Sequence, residues 1–218
     1  MPTLPNAVFF DMDGLSVDSE PEWLLAEVEL ALELGFAWEP SDQAHCLGGP
    51  LLRVGEYFAT RAGLPIQMGA ELEQRLISMM VERIKCGVPA MPGVRELMAE
   101  LKDAEIPMAL VSASPRRLVD AALLGAGLSG FDTIVAGDEV KRTKPFPDPY
   151  LEAARRLGVS ASACVVLEDS ATGVAAGLAS GATVVAIPPH QVPISPGERL
   201  RVETSLHEIS LDYLRDCF

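Results

Sequence analysis

The segment Ala7-Val8-Phe9-Phe10-Asp11-Met12-Asp13-Gly14 decides how the rest of the chain is read. Four consecutive apolar residues ending in an acid predict a short strand buried on both faces, and Asp13-Gly14 breaks it. Working outward, Ser19-Glu20-Pro21-Glu22 predicts a helix start, with Ser19 as cap and Glu22 reaching back to it. Apolar residues Trp23, Leu24, Leu25, Val28, Ala31, Leu32 and Leu34 carry that helix to a stop at Gly35. Two further helices are predicted, over 51–61 and 70–85, with no strand between Asp13 and Gly87.

From Val88 onward strands and helices alternate. Pro92-Gly93 opens a helix carrying Val94, Leu97, Met98 and Leu101. Apolar runs at 108–111, 133–136, 163–167 and 183–187 predict four more strands. Helices are predicted from Ser114-Pro115, with Ser114 as cap and Pro115 in the first helical position, over 147–157 with Gly158 as stop, and over 170–178. Residues 191–199, rich in Pro and polar groups, predict a surface loop. This alternation implies an α/β fold, a Rossmann-like parallel sheet with helices on both faces. Residues 1–15 and 88–218 are expected to form that core, and 16–87 an inserted all-helical cap.

The chain has 218 residues, 49% of them hydrophobic, and a formal charge of −14. That is enough apolar material for one core with a modest insertion. An acidic surface disfavours nucleic acid as a partner, and an anionic substrate would need a local cation or a metal. Cys46, Cys86, Cys164 and Cys217 form no close pair, which fits free thiols in a reducing compartment. No signal peptide and no run long enough to span a membrane is read, so a cytoplasmic protein is expected, and its size without an obvious sticky face suggests a monomer.

Ligands of open parallel sheets bind beyond the carboxyl ends of the strands. Asp11-Met12-Asp13, Ser112 and Glu168-Asp169 fall at predicted strand ends, and Lys144-Pro145 falls in a loop after the third. So many carboxylates in one place need a compensating cation, and an oxygen-only donor set without His or Cys points to Mg²⁺ rather than zinc. Lys144 adds a second positive group. Backbone amides near Ser112 and Ala113, ahead of a helix, are expected to cradle a phosphate.

Four segments carry a resemblance: Phe10-Asp11-Met12-Asp13-Gly14-Leu15, Val111-Ser112-Ala113-Ser114-Pro115, Lys144-Pro145-Phe146-Pro147-Asp148 and Leu167-Glu168-Asp169-Ser170. Their order and spacing resemble the haloacid dehalogenase-like hydrolase superfamily, from Val8 to about Ile187. Within it the chain is most similar to the helical-cap sugar phosphatases and β-phosphoglucomutase. The resemblance implies Asp11 as nucleophile, forming an aspartyl-phosphate, and Asp13 as acid and base. It implies Ser112 and Lys144 as holders of the phosphoryl group. It implies Mg²⁺ on Asp11, the Asp13 main-chain carbonyl and Asp169, with Glu168 binding directly or through water. The implied substrate is a small phosphorylated metabolite, a sugar phosphate by class.

Dehalogenases of the superfamily lack the second Asp, which argues against that chemistry. β-Phosphoglucomutase carries a His where this chain has Trp23, so hydrolysis is preferred over mutase turnover. A phosphometabolite-binding protein without activity is a third reading, disfavoured by the intact acid pair. Trp23 itself is left open between the site and the core. The segment 47–53 corresponds loosely to the family's substrate loop, with Arg53 as candidate cap cation for substrate. Lys141 and Arg142 read as surface charge, and His45, His190 and His207 as structural or exposed.

Overall fold

The computed structural model describes residues 4–46, 50–189 and 193–217. Strand β1 (Ala7–Phe10) lies at the centre of a six-stranded sheet with β2 (Met108–Val111), β3 (Thr133–Val135), β4 (Cys164–Glu168), β5 (Thr183–Ala186) and β6 (Leu200–Val202). Every pairing is parallel, in the order β3-β2-β1-β4-β5-β6. The order turns back between β1 and β4, which is where an open parallel sheet leaves a crevice for ligand. Phe10 pairs with Leu110 on one side and Leu167 on the other. That register puts Asp11 level with Val111 and Glu168, one residue beyond the paired segment.

Alternation along the strands sends side chains to two cores. Val8, Phe10, Leu110 and Leu167 face the helices α5 (Val94–Asp103) and α6 (Arg116–Ala126). Ala7, Phe9, Val111 and Val166 face α7 (Asp148–Leu157) and α8 (Ala171–Ala179). Strands β1, β2, β4 and β5 are buried along their whole length, because helices cover both faces. A short α9 (Leu211–Arg215) adds Leu214 to the first core.

Between β1 and α5 lie α1 (Glu20–Glu33), α2 (Pro40–Cys46), α3 (Leu51–Arg61) and α4 (Gly69–Ile84). Their apolar faces meet through Leu30, Phe58, Leu76, Ile77 and Met80, continuous with the first core. The helices expected at 51–61 and 70–85 are α3 and α4.

Some elements were not expected. α2 is too short to give a periodic pattern, and β6 follows a Pro-rich stretch with no apolar run; α9 is also missing from the sequence reading. Two expected caps are corrected. Ser19 precedes α1 but its hydroxyl does not cap it. Pro115, not Ser114, is the N-cap of α6. Both hydroxyls are used elsewhere. The pair Gly48-Gly49 of the expected substrate loop, with Leu47, lies outside the described residues, as do His190 and Gln191. No described helix is long and apolar enough to cross a membrane.

Candidate active site

The carboxyl ends of β1, β2 and β4 and the loop after β3 open on one cavity of about 480 Å³. Asp11, Asp13, Ser112, Ala113, Lys144 and Asp169 line it from the sheet side. Glu20, Trp23 and Glu27 of α1, Gln43 of α2, and Glu73 and Gln74 of α4 line it from the helical side. Residues 133 positions apart thus meet because each ends, or follows, a strand of one sheet.

Lys144 is the hub of the buried part. Its ammonium bonds the Asp11 carboxylate, the Val111 carbonyl at 2.9 Å and Glu168 Oε1 at 2.6 Å. Burial works against its charge, and the carboxylates of Asp11 and Glu168 more than offset this, so the amine is held above its ordinary range. Glu168 is fully buried. Its Oε1 also accepts from the Tyr150 hydroxyl at 2.5 Å, and its Oε2 accepts from the Ser170 hydroxyl at 3.1 Å. Tyr150 was not singled out from the sequence, since it sits at an apolar position in the first turn of α7.

Burial and the neighbouring Glu168 raise the Asp11 carboxyl to about 7. Burial, Asp11 and Glu168 likewise hold Asp169 well above the usual carboxylate range. Carboxylate oxygens of Asp11, Glu168 and Asp169 lie within 4.8 Å of one another. Such repulsion is the mark of a site that a divalent cation would relieve, and the donors are all oxygen, as Mg²⁺ requires. Gly14 fits the same reading: with φ at +76°, a Cβ there would sit 2.2 Å from Asp169 Oδ2. Both Glu168 oxygens are engaged with Lys144, Tyr150 and Ser170, so a direct bond from Glu168 to a cation would displace one of them.

Asp13 is held by three donors. Ser19 Oγ donates to Oδ1 at 2.6 Å, Ser114 Oγ to Oδ2 at 3.1 Å, and Trp23 Nε1 approaches Oδ1 at 3.5 Å. Trp23 therefore faces the site. The two serines resembled helix caps in the sequence, and only tertiary contact separates the two roles. The backbone around Ser112 also differs from the expected phosphate cradle. The Ser112 amide donates to the Val135 carbonyl at 3.0 Å, and the Ser114 amide to Ser112 Oγ at 3.0 Å. The first amide of α6, at Arg116, is taken by Asp138 at 2.9 Å. Ala113 is exposed and lines the cavity.

Arg53 is not brought to the site. It is exposed, its guanidinium donates to the His45 carbonyl at 2.8 Å, and it is not part of the cavity wall. Its position on the outer face of α3 is set by Val54, Gly55 and Phe58, which turn inward. Arg142 pairs with Asp148 on the surface, as expected.

The model of the haloacid dehalogenase-like hydrolases matches residues 8–187. The chain is similar to hexitol phosphatase B of Escherichia coli, at 31% identity over 192 residues, covering 87% of this chain and 86% of that one. It is similar to a phosphorylated carbohydrates phosphatase of Thermotoga maritima, at 32% identity, covering 81% and 82%. Among solved structures it is similar to a CbbY mutant from Rhodobacter sphaeroides in complex with xylulose 1,5-bisphosphate. That match has a TM-score of 0.74 at 27% identity and covers 94% and 96%. The family match takes in all four strand-end segments, and the chain belongs to the haloacid dehalogenase-like hydrolases.

Proposed function

We propose that this hydrolase is a Mg²⁺-dependent phosphatase of a small phosphorylated metabolite, a sugar phosphate or a related polyol phosphate. The observation that carries the reading is the pairing of two differently held carboxylates in one cavity. Asp11 is buried against Lys144, while Asp13 is aimed by Ser19, Ser114 and Trp23. One suits a nucleophile and the other an acid and base.

In the first step an Asp11 carboxylate oxygen bonds to phosphorus as the ester P–O bond breaks. Asp13, protonated at that stage, gives its proton to the leaving oxygen. In the second step water attacks the aspartyl-phosphate, Asp13 takes the water's proton, and inorganic phosphate leaves. Lys144 and the Ser112 hydroxyl orient the phosphoryl oxygens, and Glu168 with Tyr150 fixes Lys144. Asp11, Asp169 and the Asp13 main-chain carbonyl would hold the cation, with Glu168 behind them. When bound, the cation neutralises the nucleophile and the phosphoryl oxygens, so that two anions can meet.

Residues 16–87 are assigned as a cap that covers the cavity and excludes water and large substrates. The similarity to phosphatases of hexitols and phosphorylated carbohydrates supports the substrate class. Trp23 on Asp13, in place of a second acid–base group, supports hydrolysis over mutase turnover. Four free cysteines suit the cytoplasm, and a monomer is assigned.

The test is phosphate release by purified protein with Mg²⁺ on hexitol and hexose phosphates and on an aryl phosphate. Turnover on at least one is expected. Silence on all of them would sink the proposal.

A further inference from the structure

Among the described residues, two buried side-chain atoms have no hydrogen-bond partner, Thr143 Oγ1 and Glu27 Oε2, and both residues line the cavity. Thr143 adjoins Lys144 at the phosphoryl end. Glu27 belongs to the opposite, helical wall. It is 5% exposed, in a helix face shared with Glu20 and Trp23. Trp38 Nε1 donates to Gln43 Oε1 at 3.0 Å, and the Gln43 side chain lies beside the Glu27 carboxyl. Glu27 Oε2 itself has no partner, in a residue that lines the cavity. A native structure seldom buries a polar atom without a partner, so the missing partner is expected from a ligand.

The wall around Glu27 is acidic. Glu20 and Glu73 line it too, and burial raises both carboxyls above their ordinary range. Burial and Glu20 push Glu27 up to about 7, so near neutral pH it can both accept from and donate to a hydroxyl. Among the described lining residues the one cationic side chain is Lys144, which is engaged with Asp11 and Glu168 at the far end. Arg53 and Arg117 are turned to the His45 carbonyl and to Gln74, and neither lines the cavity. A second phosphate or a carboxylate on the helical side would meet like charge without a counter-ion.

We propose that Glu27 is a specificity residue: its free oxygen receives a hydroxyl of the substrate's leaving group, and the acidic wall restricts substrates to monophosphate esters whose far end is uncharged and hydroxyl-bearing. Bisphosphates and phosphorylated acids are thereby excluded. This rests on the phosphatase reading and narrows its substrate class.

The experiment compares kcat/KM, with Mg²⁺, for three open-chain esters that differ only at carbon 1. D-Glucitol 6-phosphate ends in a hydroxymethyl group, 6-phosphogluconate in a carboxylate, and glucamine 6-phosphate in an ammonium. 4-Nitrophenyl phosphate, whose leaving group has no further hydroxyl, is the reference. Glucitol 6-phosphate is expected to exceed 6-phosphogluconate at least tenfold. Glu27→Leu is expected to lower the ratio of glucitol 6-phosphate to nitrophenyl phosphate at least tenfold. Glu27→Gln keeps the shape and hydrogen-bonding capacity without the charge. It should bring that ratio back toward wild type and raise relative turnover of 6-phosphogluconate.

Equal use of the glucitol and gluconate esters, or equal loss on both reference and glucitol ester in Glu27→Leu, would overturn the inference. A tenfold preference for the ammonium ester would overturn it in favour of a cation-binding wall. If Glu27→Leu does not fold, the Glu27→Gln ratios and the wild-type series decide. Failure of the wild type on nitrophenyl phosphate and all three esters would instead remove the phosphatase reading, and this inference with it.

Discussion

Asp11 is where the proposed chemistry concentrates, because one carboxylate touches Lys144 and converges with Glu168 and Asp169. Asp11→Asn keeps the side chain's shape and removes the proposed nucleophile. Turnover is expected to fall at least about 10³-fold with an unchanged circular dichroism spectrum; retained phosphate release would refute the role. Asp13 depends on its donors in a different way. Ser114→Ala removes the bond to Oδ2 and loosens the proposed acid, which on this reading must be aimed at the leaving oxygen. We expect kcat to drop by about tenfold with KM little changed, since a positioned proton donor contributes roughly 10²–10⁴ in all. A rise in KM alone would place Ser114 in substrate binding instead.

At the scale of elements, α2 is tied to α3 by one buried acid. Asp42 accepts from Arg61 Nε at 2.8 Å, from the Tyr57 hydroxyl at 2.5 Å and from its own helix start at Glu39. These bonds, Arg61 first, hold its carboxyl down at about 2 against an ordinary 3.8. A carboxylate lowered on folding stabilises the fold above its unfolded value and ceases to do so as pH falls through the folded one. Tyr57→Phe is expected to cost about 1–2 kcal/mol at pH 7, as for a hydrogen bond to a charged group. The difference from wild type should shrink as pH falls from about 4 to 2, read by urea denaturation. A constant difference across that range would mean the tyrosine acts through packing alone. Because α2 contributes Gln43 to the cavity wall, its anchorage also bears on the site.

Across the whole molecule the governing feature is charge. Seven acids and one lysine line the cavity among the described residues, in a chain of net charge −14. A bound divalent cation should therefore stabilise the fold as well as the reaction. At about 100 times its dissociation constant, Mg²⁺ would add about 2.7 kcal/mol. For a chain of this size that corresponds to a rise in Tm of about 5–10 °C. Asp169→Asn should abolish most of this shift; an undiminished shift would move the cation elsewhere.

Sequence alone determined five of the six strands and the acids at their carboxyl ends. Apolar runs such as 7–10 and 164–167 have no stable place except between two helical layers, and a parallel sheet aligns their carboxyl ends. Residues Asp11, Asp13, Ser112 and Asp169 were legible for that reason, each at or just after a run whose direction is fixed, and Lys144 by its place in the loop after the third. Tertiary structure alone decided what those ends touch. Ser19 and Ser114 have the local signature of helix caps, Tyr150 that of a core residue, and Glu27 that of a solvated acid on a helix. Arg53 had the signature of a cap cation and turned outward. Local pattern sets which face of an element is apolar, but hydrogen-bond partners more than a hundred residues apart arise only when separate elements pack, and that packing is where the specificity of the site is made.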